Sequence, residues 1–279
     1  MTLLQAIILG AVGGLTEYLP VSGSGHLVLL QHWFGLQSDM LIFDMSVHWG
    51  TLLAVFVFFW REILWLITQP ILFLIQRPSG NQRDEFFSKH PYALIAGLIF
   101  ISSIVTALVG LFCQEIFEYL FESVFAVGLA WIGMAILLIW SKDYKNPELE
   151  RALPEMNHQD AFFIGLAQGL ALIPGVSRFG STVLMGVRCG LTRRDAARYA
   201  FLLGFPAILG VGFFKIPEVM AVWKMHPQIN LAGLWAAAVT GFFSISWILR
   251  TIERGKYHYF GYYCLLIGLF AIASQFLKP

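Results

Sequence analysis

Five ionisable residues stand in stretches that are otherwise apolar: Glu17, His26, Asp44, His48 and Arg178. A charge at the centre of a membrane span costs ~2.5–3.5 kcal/mol on insertion scales, so each needs a reason to be there. Glu17 and His26 flank a break, Leu19-Pro20-Val21-Ser22-Gly23-Ser24-Gly25, and Arg178 lies in a second, Pro174-Gly175-Val176-Ser177-Arg178-Phe179-Gly180-Ser181. Asp44 and His48 are four apart and share a helix face. A helix leaving such a break offers unpaired N–H groups and the positive end of its dipole. Gly175, Ser177, Gly180 and Ser181 around the Arg178 fork therefore suit a phosphate. Ser22 and Ser24, with Gly23 and Gly25, place nucleophile candidates beside a carboxylate and an imidazole. If the two breaks meet, the chemistry is phosphoryl transfer to water, with Glu17 as metal ligand to a cation bridging to the phosphate. Plainer readings exist: Gly and Ser relieve backbone at helix breaks, Asp44 and His48 fit an interface, and His26 fits a structural hydrogen bond. The residues alone point to a protein that takes an anionic substrate and leave enzyme and transporter both open.

The elements that must position these residues follow from hydropathy. The chain has 279 residues, 58% hydrophobic and 13% charged, with mean hydropathy +0.71. A soluble domain carries about 25% charged residues, so this is an all-α integral membrane protein. A disordered chain, a disulfide scaffold and a nucleic-acid binder are excluded. Cys113, Cys189 and Cys264 are scattered and read as small packing residues. The run Leu3–Leu15 reads as mature structure, because the first basic residue is Arg61 and a signal peptide needs a positive start. Six segments are expected to span: 44–60, 92–112, 123–141, 196–215, 231–249 and 259–277. The stretches 3–34 and 160–190 are broken by their prolines into arms too short to cross, which predicts two re-entrant helical hairpins.

The hairpins are copies. At an offset of 155, nine of the 24 positions from 6 to 29 are identical, including Gly10/Gly165, Gly14/Gly169, Ser22/Ser177 and Gly25/Gly180. Each half, about 1–150 and 155–279 of a single domain, then holds one hairpin and three spans, and an odd count inverts the second half. Fourteen Lys and Arg residues fall on one side, in four groups at 61–89, 142–151, 188–198 and 250–256, against Lys215, Lys224 and Lys278 on the other. The other side's loops carry Asp39, Glu115, Glu118 and Glu122. The fourteen are expected inside, both termini and the first hairpin's mouth outside. Trp33, Trp49, Trp60, Trp65, Trp140 and Trp247 lie near span ends.

Gly14-Leu15-Thr16-Glu17-Tyr18-Leu19-Pro20-Val21-Ser22 with Gly25-His26 resembles the first signature of the bacitracin-resistance family of undecaprenyl-diphosphate phosphatases. Phe43-Asp44, His48 and Gly50-Thr51-Leu52-Leu53-Ala54-Val55 resemble its next block, and Ala167-Gln168-Gly169 with Leu172-Ile173-Pro174-Gly175-Val176-Ser177-Arg178 its second. The resemblance implies hydrolysis of undecaprenyl diphosphate on the outer face of a bacterial inner membrane, recycling the envelope lipid carrier, with Mg2+ or Ca2+. It matches Glu17, His26 and Arg178 to the essential carboxylate, imidazole and phosphate-binding arginine. The expected partners are the bilayer and a polyprenyl diphosphate lipid, with a homodimer left open. Three positions depart from the pattern: Gly13 stands for Glu or Gln, Gly23 for a serine and Phe179 for another serine. Restoring Gly13→Glu is expected to strengthen cation dependence, and Gly23→Ser to raise hydrolysis. A paralogue that binds polyprenyl phosphate without hydrolysis is the alternative.

Overall fold

The computed structural model describes residues 1–36, 40–121, 123–143, 150–214, 223 and 226–276. Asp39, Glu122, Lys145, Lys215, Lys224 and Lys278 lie outside them. The described residues form helices and no strand. Both broken stretches divide where proline requires. The first gives α1 (Leu3–Glu17) and α2 (Gly23–Trp33), and the second gives α9 (His158–Leu170) and α10 (Arg178–Arg188). The expected spans are α3 (Met40–Phe58), α6 (Pro91–Phe112), α8 (Val124–Trp140), α11 (Arg193–Phe214), α12 (Pro227–Glu253) and α13 (Tyr259–Ser274). Of these, α6 and α12 are each long and apolar enough to cross a membrane unaided.

The stretch 61–91, expected as an inside loop from its four basic residues between the spans 44–60 and 92–112, is helical over most of its length. α4 (Trp60–Gln76) leaves α3 at Phe59 with a bend of 81°, and α5 (Asn81–Lys89) follows. Its basic residues hid an amphipathic pattern: Ile63 is buried while Leu64, Trp65, Ile67, Leu74 and Ile75 are exposed. α7 (Gln114–Phe121), also unforeseen, meets α8 at 106°.

The core is apolar, and so is much of the outer surface. Phe112 is 85% exposed, as are to lesser degrees Leu111, Phe243 and Leu266, and all six belt tryptophans face outward. Ser102, Thr106, Thr182 and Ser244 are buried. In a bilayer the chain gains nothing by hiding apolar side chains from lipid, so helices join through small residues and interhelical hydrogen bonds. α1 lies on α12 and α9 on α6. A Cβ on Gly10 would sit 2.3 Å from the Gly233 carbonyl oxygen, and one on Gly165 2.6 Å from that of Ser102. Ser102 and Thr106 donate to the carbonyls of Ala161 (2.6 Å) and Gly165 (2.9 Å), and Ser244 to that of Leu15 (2.7 Å).

Candidate active site

At the first tip the chain leaves helix after Glu17, and backbone at membrane depth must find partners within the protein. Each of four successive carbonyls accepts a hydrogen bond from a different helix or helix cap. Leu19 accepts from the Ser177 hydroxyl (3.1 Å), the N-cap of α10, and Pro20 from the Cys264 thiol of α13 (3.5 Å). Val21 accepts from the indole of Trp131 on α8 (2.7 Å), and Ser22 from Nδ1 of His26 on α2 (2.7 Å). Cys264 is thus more than a packing residue. Ser22 itself holds φ at +66°, a left-handed conformation that a non-glycine residue adopts only when its surroundings enforce it.

The tips meet. The Ser22 hydroxyl accepts from the N–H groups of Gly25 (3.3 Å) and of Gly175 in the other tip (3.1 Å). Gly25 and Gly175 are in backbone contact, and the Gly180 Cβ position is 2.9 Å from Pro20. At this junction Arg178 donates from one terminal nitrogen to Glu17 at 2.5 Å and from the other to the Gly204 carbonyl of α11 at 3.3 Å. His48 turns Nε2 toward the second Glu17 oxygen at 3.8 Å, while its Nδ1 lies 2.7 Å from the Asp44 carbonyl. Two helical hairpins with α3 and α11 thus hold a carboxylate between a guanidinium and an imidazole. A cavity of about 10 Å³ opens beside Arg178, lined also by Tyr18, Leu52, Phe179, Phe201 and Phe205. That is room for about one water.

This geometry fits the resemblance, and the comparison with known families agrees. The family described as "Bacitracin resistance protein BacA" matches residues 6–270. The chain belongs to the BacA family. Relatives named undecaprenyl-diphosphatase include one from Methanosphaera stadtmanae, 36% identical over 98% of both chains. Another, from Carboxydothermus hydrogenoformans, is 37% identical over 99% of this chain and 98% of its own, and one from Halothermothrix orenii is 34% identical over 98% of both. With the apolar helices, membership makes this a multi-pass membrane protein.

As a BacA member the chain distributes its expected site residues unevenly. Glu17, His48 and Arg178 converge. Ser24 lies 3.3 Å from Ser22, oxygen to oxygen. The Asp44 carboxylate accepts from the Gln31 amide at 2.6 Å, toward α2. Ser177 caps α10 through the Gly180 N–H (3.0 Å), and Ser181 faces Met134. His26 packs between Trp131 and Tyr263 rather than against the ion pair. The N–H groups of Gly175 and Gly180, expected to cradle an anion, are already held by serine hydroxyls. Tyr263 was missed because nothing local marks it.

The three departures from the BacA pattern acquire physical reasons. A Cβ on Gly23 would lie 2.6 Å from a Glu17 carboxylate oxygen and 3.1 Å from its Cα. The carboxylate occupies the space a serine would need. Gly23→Ser is therefore expected to lower hydrolysis, not raise it, by pushing Glu17 off Arg178. Phosphate release by the purified variant measures this, and a rate above wild type would defeat it. Gly13 is buried with Val47 Cγ1 2.5 Å from its Cβ position, so a glutamate there displaces Val47 before it can serve a cation. Phe179 packs on Phe201 with the rings tilted by 42° and centroids 4.5 Å apart, and fills the core beside Arg178.

Proposed function

We propose that this chain removes the terminal phosphate of undecaprenyl diphosphate, and that it does so at the junction of the two tips. The Glu17–Arg178 pair carries the reading, in a chain whose relatives are named for that reaction. It supports an enzyme of envelope-carrier recycling and of bacitracin resistance; the non-hydrolytic alternative finds no support among those relatives. In the resting state Arg178 gives one terminal nitrogen to Glu17 and the other to the Gly204 carbonyl. The terminal phosphate displaces the carboxylate and takes the fork, which holds two oxygens at once. The released Glu17 accepts a proton from water as its oxygen attacks phosphorus. The bond to the bridging oxygen breaks, and undecaprenyl phosphate and inorganic phosphate leave. Ser22 and Ser24 border the same junction. Ser22, receiving two backbone N–H bonds, shapes the site more readily than it attacks.

The residues present do not make a resident cation site. Glu17 is one carboxylate with its oxygens facing Arg178 and His48, and the described residues hold no group of three His, Cys, Asp or Glu placed to bind a metal. A hard cation takes several oxygens. A cation used in the reaction would therefore come in bound to the diphosphate, where it would neutralise phosphate charge. Phosphate release from a polyprenyl diphosphate by purified protein, with cation and with chelator, tests the function. No release under either condition overturns it.

For topology we propose six spans and two re-entrant hairpins in an inverted repeat, in the plasma membrane, with both termini and the active-site mouth outside. The reciprocal packing of α1 on α12 and α9 on α6 supports it, as does the pairing of α8 with α13, the last helix of each half. In a background freed of native cysteines, thiols placed at Asn81 and at Pro279 are expected to label from opposite sides. Labelling of both from one side would overturn the repeat.

A further inference from the structure

We infer that Tyr263 is a positioning residue: its hydroxyl anchors the far side of the His26 ring and, through His26, supports the turn at Ser22. The inference rests on the hydrolytic reading above. The Ser22 carbonyl can only accept a hydrogen bond, so Nδ1 of His26, 2.7 Å away, carries a proton. In the neutral ring Nε2 then has only a lone pair and requires a donor. The Tyr263 hydroxyl, 2.7 Å from Nε2, supplies it. The two rings lie within 5° of parallel at 5.7 Å, and Trp131 meets the imidazole edge-on at 5.1 Å, so the ring plane is fixed as well.

With both nitrogens engaged and the side chain buried, His26 has no free nitrogen to offer a phosphate. It acts on the turn. Ser22 holds its left-handed conformation because His26 grips its carbonyl while Gly25 and Gly175 grip its hydroxyl. Five residues earlier the same strand of chain carries Glu17. Removing the tyrosine hydroxyl leaves Nε2 without a donor in apolar surroundings. The ring keeps its proton on Nδ1 but is anchored from one side only, and where it swings off the Ser22 carbonyl that carbonyl loses its partner. The tip loosens and the reacting groups lose alignment, while Arg178, on the other hairpin, still binds phosphate.

Tyr263→Phe keeps the ring and its stacking and removes only the hydroxyl. It is expected to lower kcat about tenfold, the worth of one supporting hydrogen bond, with KM changed less than about twofold. Solid-state nitrogen NMR of histidine-labelled protein reads the tautomer directly, with the His26 signals assigned by their loss in His26→Gln. Wild type should show Nδ1 protonated and Nε2 accepting a hydrogen bond, and Tyr263→Phe the same tautomer with the Nε2 signal displaced to that of a nitrogen without a donor. An unchanged Nε2 signal in the variant, an unchanged kcat, or a loss confined to KM would overturn the inference. A wild type that releases no phosphate overturns the hydrolytic reading instead, and the NMR comparison still decides what Tyr263 does to His26.

Discussion

Replacing Arg178 by lysine is expected to cut phosphate release on the order of 10²-fold or more, even though the charge is kept. The guanidinium reaches two partners from two nitrogens, Glu17 and the Gly204 carbonyl, and its planar fork is positioned by both. An ammonium is a point charge without that geometry. Losing a bidentate, charge-assisted contact in a site with room for about one water removes transition-state stabilisation that solvent cannot replace. A hundredfold loss corresponds to about 2.7 kcal/mol of barrier. Steady-state kinetics on purified Arg178→Lys in detergent or nanodiscs makes the measurement. Near-full activity in that variant would remove Arg178 from the phosphate site.

Glu17→Gln separates binding from turnover. The amide cannot take a proton from water, so kcat is expected to fall by about 10²–10⁴, the range a positioned acid–base group supplies. Affinity for the anion should move the other way. In the resting structure the carboxylate is the phosphate's competitor for Arg178, and a neutral amide competes poorly. Binding of undecaprenyl phosphate, followed by titration calorimetry, should therefore tighten while turnover collapses. Variants that lose both together would mean that Glu17 only props the tip. Variants that keep turnover would mean another base does the work.

The two breaks, the residues within them and their meeting were legible because proline, glycine and serine act locally, and because one hairpin could be laid on the other. The partners of those residues were not. Gly23 looked like a missing hydroxyl until the Glu17 carboxylate was found in the space. Gly13 looked like a missing ligand until Val47 was found against it. The four donors to the first tip come from His26, Trp131, Ser177 and Cys264, and three of these are more than a hundred residues away from the turn they satisfy. No periodicity announces such a contact. α4 is a different failure. Its helical pattern was present, but Arg61, Arg77, Arg83 and Lys89 were taken as marking a loop, whereas basic residues also flank a helix bent sharply away from its predecessor.

The packing of α1 on α12 has a consequence for how the molecule is made. The first hairpin leaves the ribosome early, yet the surface it needs spans Pro227–Glu253. At roughly 5–20 residues per second, that surface arrives about ten to fifty seconds later. Through the interval the Ser22 turn lacks the Cys264 donor, and Gly10 and Gly14 do not have Gly233 and Ala237 to lie against. The nascent hairpin must wait at the water-filled insertion machinery or at the bilayer surface, where water serves its backbone. Chain order thus makes assembly late and all at once. A chain halted before Pro227 would hold its first hairpin without the helix that α1 lies on, and quality-control proteases acting on unassembled membrane segments would find α1 uncovered.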